Sequence, residues 1–270
     1  MLSSQAIPCQ LMKDEGGWLV YVPERESDRA EQVLAAYDRD LVEEITPSQA
    51  PLEYGPTQAG FAIAVLLCGF FLVSGPYDRA AFWFRSGSAV SERILAGEWW
   101  RAITALTLHV DLPHLLGNAA SLAIFATAVC RSLGPGLGSA LILVAGMLGN
   151  VLSASIHGPG HLSVGASTGV FGAIGILCGQ QFVRRRALRS RSRPAWLALA
   201  AGLALLAFLG TGERSDMAAH ASGLLVGVML GFLAALALRS PPGPAMQTIG
   251  LSASAAMAVL AWLIARGATP

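Results

Sequence analysis

The stretch from residue 133 to 183 reads LGPGLGSALILVAGMLGNVLSASIHGPGHLSVGASTGVFGAIGILCGQQFV and decides the class of fold, because it contains no Asp, Glu, Lys or Arg. Two apolar runs, at about 136–156 and 166–183, lie within it on either side of the segment HGPGH. A bilayer core of ~30 Å needs roughly 20 helical residues. The stretch therefore predicts two membrane-spanning helices joined by a short loop.

Further apolar runs flank this stretch on both sides, at about 57–75, 112–130, 195–211, 217–238 and 247–265. The chain of 270 residues is 54% hydrophobic and 13% charged, with a mean hydropathy of +0.56. An ordinary soluble domain carries about 25% charged residues. The composition excludes a conventional soluble enzyme for the whole chain, and also a nucleic-acid binder, which needs a basic, solvated face. It predicts an all-α polytopic membrane protein.

The amino-terminal 55 residues differ from the rest in charge, with 11 acidic and 4 basic groups, a net of −7. Within them GWLVYVPE predicts a strand, and Ser27 is expected to cap a helix over about 28–37. We therefore predict three parts. Residues 1–55 form a small acidic α/β unit with a linker, 56–240 a core of six spans, and 241–270 one extra carboxy-terminal span.

Arginine placement predicts the orientation in the membrane. The segment RRRALRSRSR (184–193) holds six arginines between the fourth and fifth spans, so this loop is expected to be cytoplasmic. Arg131 and Arg239 then fall in the other cytoplasmic loops, and the amino terminus is cytoplasmic as well. Residues 76–111 become an external loop, and its charges favour an interfacial position for part of it over a membrane span. We expect the plasma (inner) membrane of a bacterium; nothing in the sequence specifies an oligomeric state.

Polar residues cluster at three places, all on the predicted external side. The clusters are His109, His114 and Asn118; the segment GASTG (165–169), which contains Ser167; and Asp216 with His220. Imidazole and amide groups inside a bilayer usually face a bundle interior or water. Two alternatives stay open at this point: His109 as an interfacial histidine, and His114 with Asn118 as hydrogen bonds between helices.

Small residues repeat every fourth position in the fourth and sixth spans, as Gly165, Gly169 and Ala173 and as Ala219, Gly223, Gly227 and Gly231. Such repeats allow close helix packing, which would place Ser167 and His220 at one depth. A serine beside an imidazole is the minimum for nucleophilic catalysis, since the imidazole removes the hydroxyl proton as Oγ attacks a carbonyl. Free N–H groups at the start of a helix favour a developing oxyanion, and His114 and Asn118 are candidates for further donors.

Other motifs are weaker. GASTG also fits the G-x-S-x-G elbow, but that motif needs a strand and a soluble sheet. The absence of HExxH removes a zinc-type intramembrane protease. His157 and His161 have a ligand-like spacing, yet the Gly-Pro-Gly between them favours a flexible loop over a metal site. For Asp216 a helix cap is favoured over a third member of a triad. A transporter with a histidine proton path would need repeats that the sequence does not show.

Taken together, these motifs resemble the rhomboid family of intramembrane serine proteases. The resemblance covers about 57–238 and rests on Trp100-Arg101, on the spacing of His109, His114 and Asn118, on GASTGVFGAIG and on AHASGLLVG. It implies a six-helix bundle and a serine endopeptidase with a Ser–His dyad, which needs no metal or nucleotide cofactor. Its partners would be transmembrane protein substrates in the lipid bilayer, cleaved near the external membrane face.

The resemblance also implies a role for each matching residue. Ser167 would be the nucleophile and His220 the general base, and the oxyanion hole would comprise His114, Asn118 and the Ser167 backbone N–H. The supporting residues would be Trp100, Arg101, His109, Gly165, Phe171, Gly223 and Gly227. The family usually has glycine directly after the serine, where this chain has Thr168. The alternative function is a catalytically silent relative that binds membrane-protein clients.

Overall fold

The computed structural model describes residues 2–14, 17–45, 53–187, 196–209, 216–238, 240 and 242–268. The chain divides into two units, Met1–Ala50 and Pro51–Pro270. Much of the arginine-rich segment, from 188 to 193, and Arg239 lie outside the described residues.

The amino-terminal unit is a hairpin with one helix. Strand β1 (Gln10–Asp14) pairs antiparallel with β2 (Gly17–Tyr21), and α1 (Ser27–Ile45) follows. A strand and a helix lie where the sequence predicted them, and the helix continues eight residues beyond its predicted end at about residue 37. The cap prediction at Ser27 is wrong, because Ser27 has helical dihedrals (φ −57°, ψ −54°) as the helix begins. A small core of Leu2, Ile7 and Ala30 holds the unit together.

In the second unit each predicted span coincides with a helix. In chain order the helices are α2 (Ala59–Ser74), α3 (Phe82–Gly87), α4 (Ser91–Leu95), α5 (Arg101–Thr104), α6 (Leu112–Leu133), α7 (Pro135–His157), α8 (Ser167–Ala187), α9 (Trp196–Leu209), α10 (Met217–Ala237) and α11 (Pro244–Ala268). Among the described residues, α6, α7, α10 and α11 are long and apolar enough to cross a membrane, and α2 is a shorter apolar helix. The predicted interfacial segment contains the short helices α3 to α5. A two-stranded sheet joins β3 (Ala89–Val90) to β4 (Leu162–Ser163).

Helix α8 lies at the centre of the bundle, against α10, α7, α6 and α9. Glycines bring the backbones of α8 and α10 into contact, since a Cβ added at Gly227 would collide with the carbonyl oxygen of Gly172. The same holds at Gly231, where the collision is with Ile176. The repeat on α10 therefore marks a close interface between helices, as predicted. The repeat predicted on α8 is wrong in its positions, because α8 meets α10 through Gly172, Gly175 and Gly179, whereas Gly169 faces Ile142 of α7. The main core consists of Phe171 and other buried apolar residues of α8, packed against apolar residues of α2, α6, α7 and α10.

Helix α11, which corresponds to the seventh predicted span, is hydrogen-bonded to the rest of the bundle near both of its ends. Near its start, the buried side chain of Gln247 accepts hydrogen bonds from the N–H groups of Gly136 and Leu137 (2.7 and 3.1 Å) at the beginning of α7. Trp262, 15 residues later and so about 22 Å further along the helix, donates from Nε1 to Oγ1 of Thr107 (3.2 Å). The turn between α6 and α7 and the segment 76–111 therefore lie at opposite ends of the bundle.

Candidate active site

A cavity of about 710 Å³ lies among α6, α8, α10 and the loop that precedes α8. Its lining contains six of the residues predicted for the site: His114, Asn118, Gly165, Ser167, Phe171 and His220. Residues that are far apart in the chain thus meet around one space. The other predicted site residues do not belong to the lining; they are Trp100, Arg101, His109, Gly223 and Gly227.

The nucleophile candidate, Ser167, is the first residue of α8, so the backbone N–H groups of this turn have no partner within the helix. The chain reaches it through Gly165, whose φ of +133° suits only glycine. The N–H of Gly165 donates to the carbonyl oxygen of Ala105 (2.9 Å), and the N–H of Ala166 donates to Nε2 of His109 (3.4 Å). The two residues that precede Ser167 are therefore each fixed by a hydrogen bond to the segment 76–111.

Gly165 also lets this loop approach the two candidate oxyanion donors. A Cβ at that position would lie 2.6 Å from Cε1 of His114 and 3.5 Å from Nδ2 of Asn118. The side-chain nitrogen of Asn118 is buried and has no hydrogen-bond partner among the described residues. Buried polar groups are seldom left without a partner. An unpaired donor beside the serine loop is suited to receive an oxygen of a bound substrate.

His220, the candidate base, is buried in the first turn of α10 and stacks on Phe171, with ring centroids 4.7 Å apart. Asp216 caps this helix, because Oδ1 accepts from the N–H of Ala219 at 2.9 Å, which confirms the cap prediction. Its other oxygen lies 2.7 Å from Nε2 of His161. Burial raises the pKa of the Asp216 carboxyl, but these hydrogen bonds outweigh it and hold the pKa below its usual range.

His109 lies behind the cavity wall, fully buried, with its ring 5.3 Å from that of His114. It is therefore not exposed at an interface. Burial, together with the charge of the nearby His114, lowers its pKa to about 4. The ring is thus neutral near pH 7, as it must be to accept a hydrogen bond from Ala166.

Arg101 organises the external segment from a position outside the cavity. It is 1% exposed, and its guanidinium donates to the carbonyl oxygens of Arg85 and Ser88 (3.1 Å each) and pairs with Glu98. Trp100 is half-buried at the start of α5. A buried cation needs such compensation. Trp100 and Arg101 therefore lie where they support the external segment and do not line the cavity.

Residues 96–237 of the chain match the Rhomboid domain. The chain belongs to the rhomboid family. The matched residues begin directly after α4 and run through α10, so that α2 to α4, α11 and the amino-terminal unit lie outside them.

Several relatives carry the family name. The chain is 28% identical over 173 residues to the putative rhomboid protease YdcA of Bacillus subtilis, with 64% of this chain and 86% of the relative covered. It is 34% identical over 124 residues to rhomboid protease GluP of the same organism, covering 45% and 24%. It is 26% identical over 170 residues to RHOMBOID-like protein 9, chloroplastic, of Arabidopsis thaliana, covering 61% and 38%. The chain thus spans well under half of these last two relatives.

The structure shows how this rhomboid domain accommodates Thr168 after the serine. Thr168 is buried, and its methyl group points at α7, where a Cβ on Gly149 would lie 2.6 Å from Cγ2. Gly223 of α10 also packs directly against Thr168, since a Cβ there would collide with the carbonyl oxygen of Thr168. Two glycines on neighbouring helices therefore make room for the larger residue.

Sequence reasoning missed three contributors to the site. Asp111 caps α6 through the N–H of His114 (2.8 Å), and an acidic residue two positions before Pro113 was the signal for it. His161 contacts Asp216 across the cavity rim. Gly149 carried no signal, because its partner lies on another helix.

Proposed function

We propose that this rhomboid-family chain is a serine endopeptidase that hydrolyses peptide bonds of transmembrane segments near the external membrane face. Ser167 is the nucleophile and His220 the general base. One observation carries the proposal: both residues line one cavity, together with a buried, unpaired amide donor on Asn118. The family match and the relatives named as proteases support the same reaction class.

In the first step, His220 takes the hydroxyl proton of Ser167 while Oγ attacks the scissile carbonyl carbon. The ring of Phe171 against the imidazole limits the orientations that this base can adopt. The imidazolium then gives its proton to the leaving amine, and the peptide bond breaks. Water, activated by the same imidazole, hydrolyses the acyl-serine ester and restores the enzyme.

The carbonyl oxygen becomes negatively charged during this attack. Asn118 Nδ2, the imidazole of His114 and the backbone N–H of Ser167 are the donors that we assign to it. The contact of Gly165 with His114 and Asn118 supports this assignment, because it brings both side chains against the serine loop. One such donor is worth ~3 kcal/mol of transition-state stabilisation.

We further propose that residues 56–240 form the protease core and that residues 1–55 lie in the cytoplasm of a bacterial cell. The cavity would then open toward the external face. Support comes from the positive charges of 184–193 and from the opposite placement of the α6–α7 turn and segment 76–111. Labelling of single-cysteine variants in whole cells tests this orientation.

Cleavage of a transmembrane reporter in liposomes tests the reaction. Wild type should cut, and Ser167→Ala and His220→Ala should not, whereas Asn118→Ala should retain cleavage reduced by about 10²–10³-fold. Ser163→Ala, which alters another serine of the same cavity lining, serves as the matched control and should remain active. Thermal melts establish that each variant is folded. Persistent cleavage by folded Ser167→Ala would overturn the assignment.

A further inference from the structure

Three metal-ligating side chains outside the proposed dyad converge at the cavity rim. His157 ends α7, His161 lies in the following loop, and Asp216 precedes α10. Their candidate ligand atoms all lie within 4.8 Å of one another. Nε2 of His161 is 2.7 Å from Oδ2 of Asp216, and Nε2 of His157 is 3.8 Å from Oδ1. We propose that this cluster binds a divalent transition-metal ion of the zinc class.

The hydrogen bonding of His157 favours a cation at this place. Its Nδ1 lies 3.2 Å from the carbonyl oxygen and 3.3 Å from the hydroxyl oxygen of Ser153. The carbonyl can only accept, so the tautomer that bonds to it carries its proton on Nδ1. In the neutral ring, Nε2 then presents a lone pair toward a carboxylate that also only accepts. The rings of His157 and His161 are stacked with centroids 3.6 Å apart. One cation can accept a lone pair from each ring and also pair with the carboxylate of Asp216.

Contacts outside the cluster hold the loop in place. The carbonyl oxygen of His161 accepts from the N–H of Ser91 (3.0 Å), and the N–H of Gly160 donates to Glu92 (3.0 Å). The strand pair β3–β4 continues from this point. The flexible loop expected from Gly-Pro-Gly is therefore anchored to α4, which is a correction to the sequence prediction.

The other two ligands are oriented in the same manner. The carbonyl of Ser153 fixes His157, and the N–H of Ala219 fixes the carboxylate of Asp216. Carbonyl groups on the second ring nitrogen of a histidine are typical of metal sites, where they set the tautomer and the ring orientation. Backbone contacts thus hold the ligands on all three segments of the chain.

The donor set selects the class of ion. Two imidazoles and one carboxylate suit zinc with an open fourth position, whereas calcium and magnesium take oxygen ligands. The side chains are 30%, 27% and 14% exposed for His157, His161 and Asp216, so an ion can reach them. Zinc–nitrogen bonds are about 2.0–2.1 Å long, and the stacked rings must therefore open slightly around the ion.

Zinc binding to the full-length protein tests the proposal, with a Strep-type tag in place of a histidine tag and prior treatment with a chelator. Titration against a chromophoric zinc chelator should give one zinc per chain, and zinc should raise the midpoint of thermal unfolding. His157→Asn and Asp216→Asn should each weaken binding at least about tenfold. Asp216→Asn isolates the lost ligand, because asparagine also caps helices.

His114→Asn is the matched control, since it removes another imidazole of the cavity and should leave the affinity for zinc unchanged. Absence of saturable zinc binding by wild type would overturn the proposal. So would equal binding by wild type and both ligand variants, or loss of binding in His114→Asn with retention in His157→Asn. Because the readout is metal binding and not cleavage, these outcomes do not depend on the proposed peptidase activity.

Discussion

Replacing Gly149 with alanine tests whether the meeting point of three helices sets the spacing of Ser167 and His220. The added Cβ would lie 2.6 Å from Cγ2 of Thr168 and 2.9 Å from Cα of Gly223. Carbon atoms in contact sit at about 3.5–4.0 Å, so the neighbours must move by about 1 Å. Thr168 directly follows Ser167, the proposed nucleophile, and Gly223 lies one turn after His220, the proposed base, so the displacement reaches both.

The expected loss is large for a single methyl group. A misplacement of about 1 Å at reacting groups costs on the order of 10²-fold in rate, and overpacking a core costs about 1–3 kcal/mol of stability. We therefore expect kcat/KM of Gly149→Ala to fall about 100-fold in the liposome assay. The variant should remain folded, because the helix preference of alanine over glycine offsets up to about 1 kcal/mol of the strain.

Two further variants isolate the contact. Thr168→Ser removes the methyl that meets Gly149 and keeps the hydroxyl, so it should restore part of the activity in the Gly149→Ala background. Gly169→Ala adds the same methyl to α8, where the nearest atom is Cγ2 of Ile142 at 3.9 Å, and should stay within a few-fold of wild type. The reasoning fails if Gly149→Ala cuts normally, if Gly169→Ala is equally impaired, or if Thr168→Ser gives no recovery.

Three other outcomes follow from the structure. Asp216→Asn should keep cleavage near the wild-type rate, while Asp216→Ala should lose about 1 kcal/mol of stability in thermal melts. Equal losses of stability in the two variants would argue against the cap. Because the pKa of His109 is about 4 when folded and about 6.5 in an unfolded chain, unfolding takes up a proton between these values. Stability should therefore fall by roughly 3 kcal/mol as the pH drops from 6.5 to 4. In thermal melts of His109→Gln, this part of the pH-dependent loss of stability should be absent. Gln247→Leu strands buried N–H groups of α7 and should cost about 1–3 kcal/mol; an unchanged melting midpoint would refute that role.

The spans were predictable because a helix must be apolar over a fixed length to cross a bilayer. The start of α8 near Ser167 followed from the same rule, together with the glycine repeats. Strand β1 was not predicted, since its Leu11 and Met12 are both exposed and give no alternation of buried and exposed positions. The short helices α3 to α5 were also not predicted, because their positions depend on contacts between residues far apart in the chain, such as those of Arg101 with Arg85 and Ser88.

The candidate site was predictable in its residue types more than in its contacts. Ser167, His220, His114 and Asn118 stood out because polar groups are costly inside apolar runs. The fit of Thr168 against Gly149 joins different helices, and no local pattern encodes it. The anchoring of His161 likewise depends on Ser91, far away in the chain, so local sequence suggested only a flexible loop.

Labelling with a fluorophosphonate, followed by peptide mapping in a mass spectrometer, tests the central claim most directly. The adduct should form on Ser167 of the folded wild type, should be lost in His220→Ala, and should persist in Asp216→Asn. An adduct on a different serine, or labelling of His220→Ala at the wild-type rate, would contradict the assignment of Ser167 and His220 as nucleophile and base.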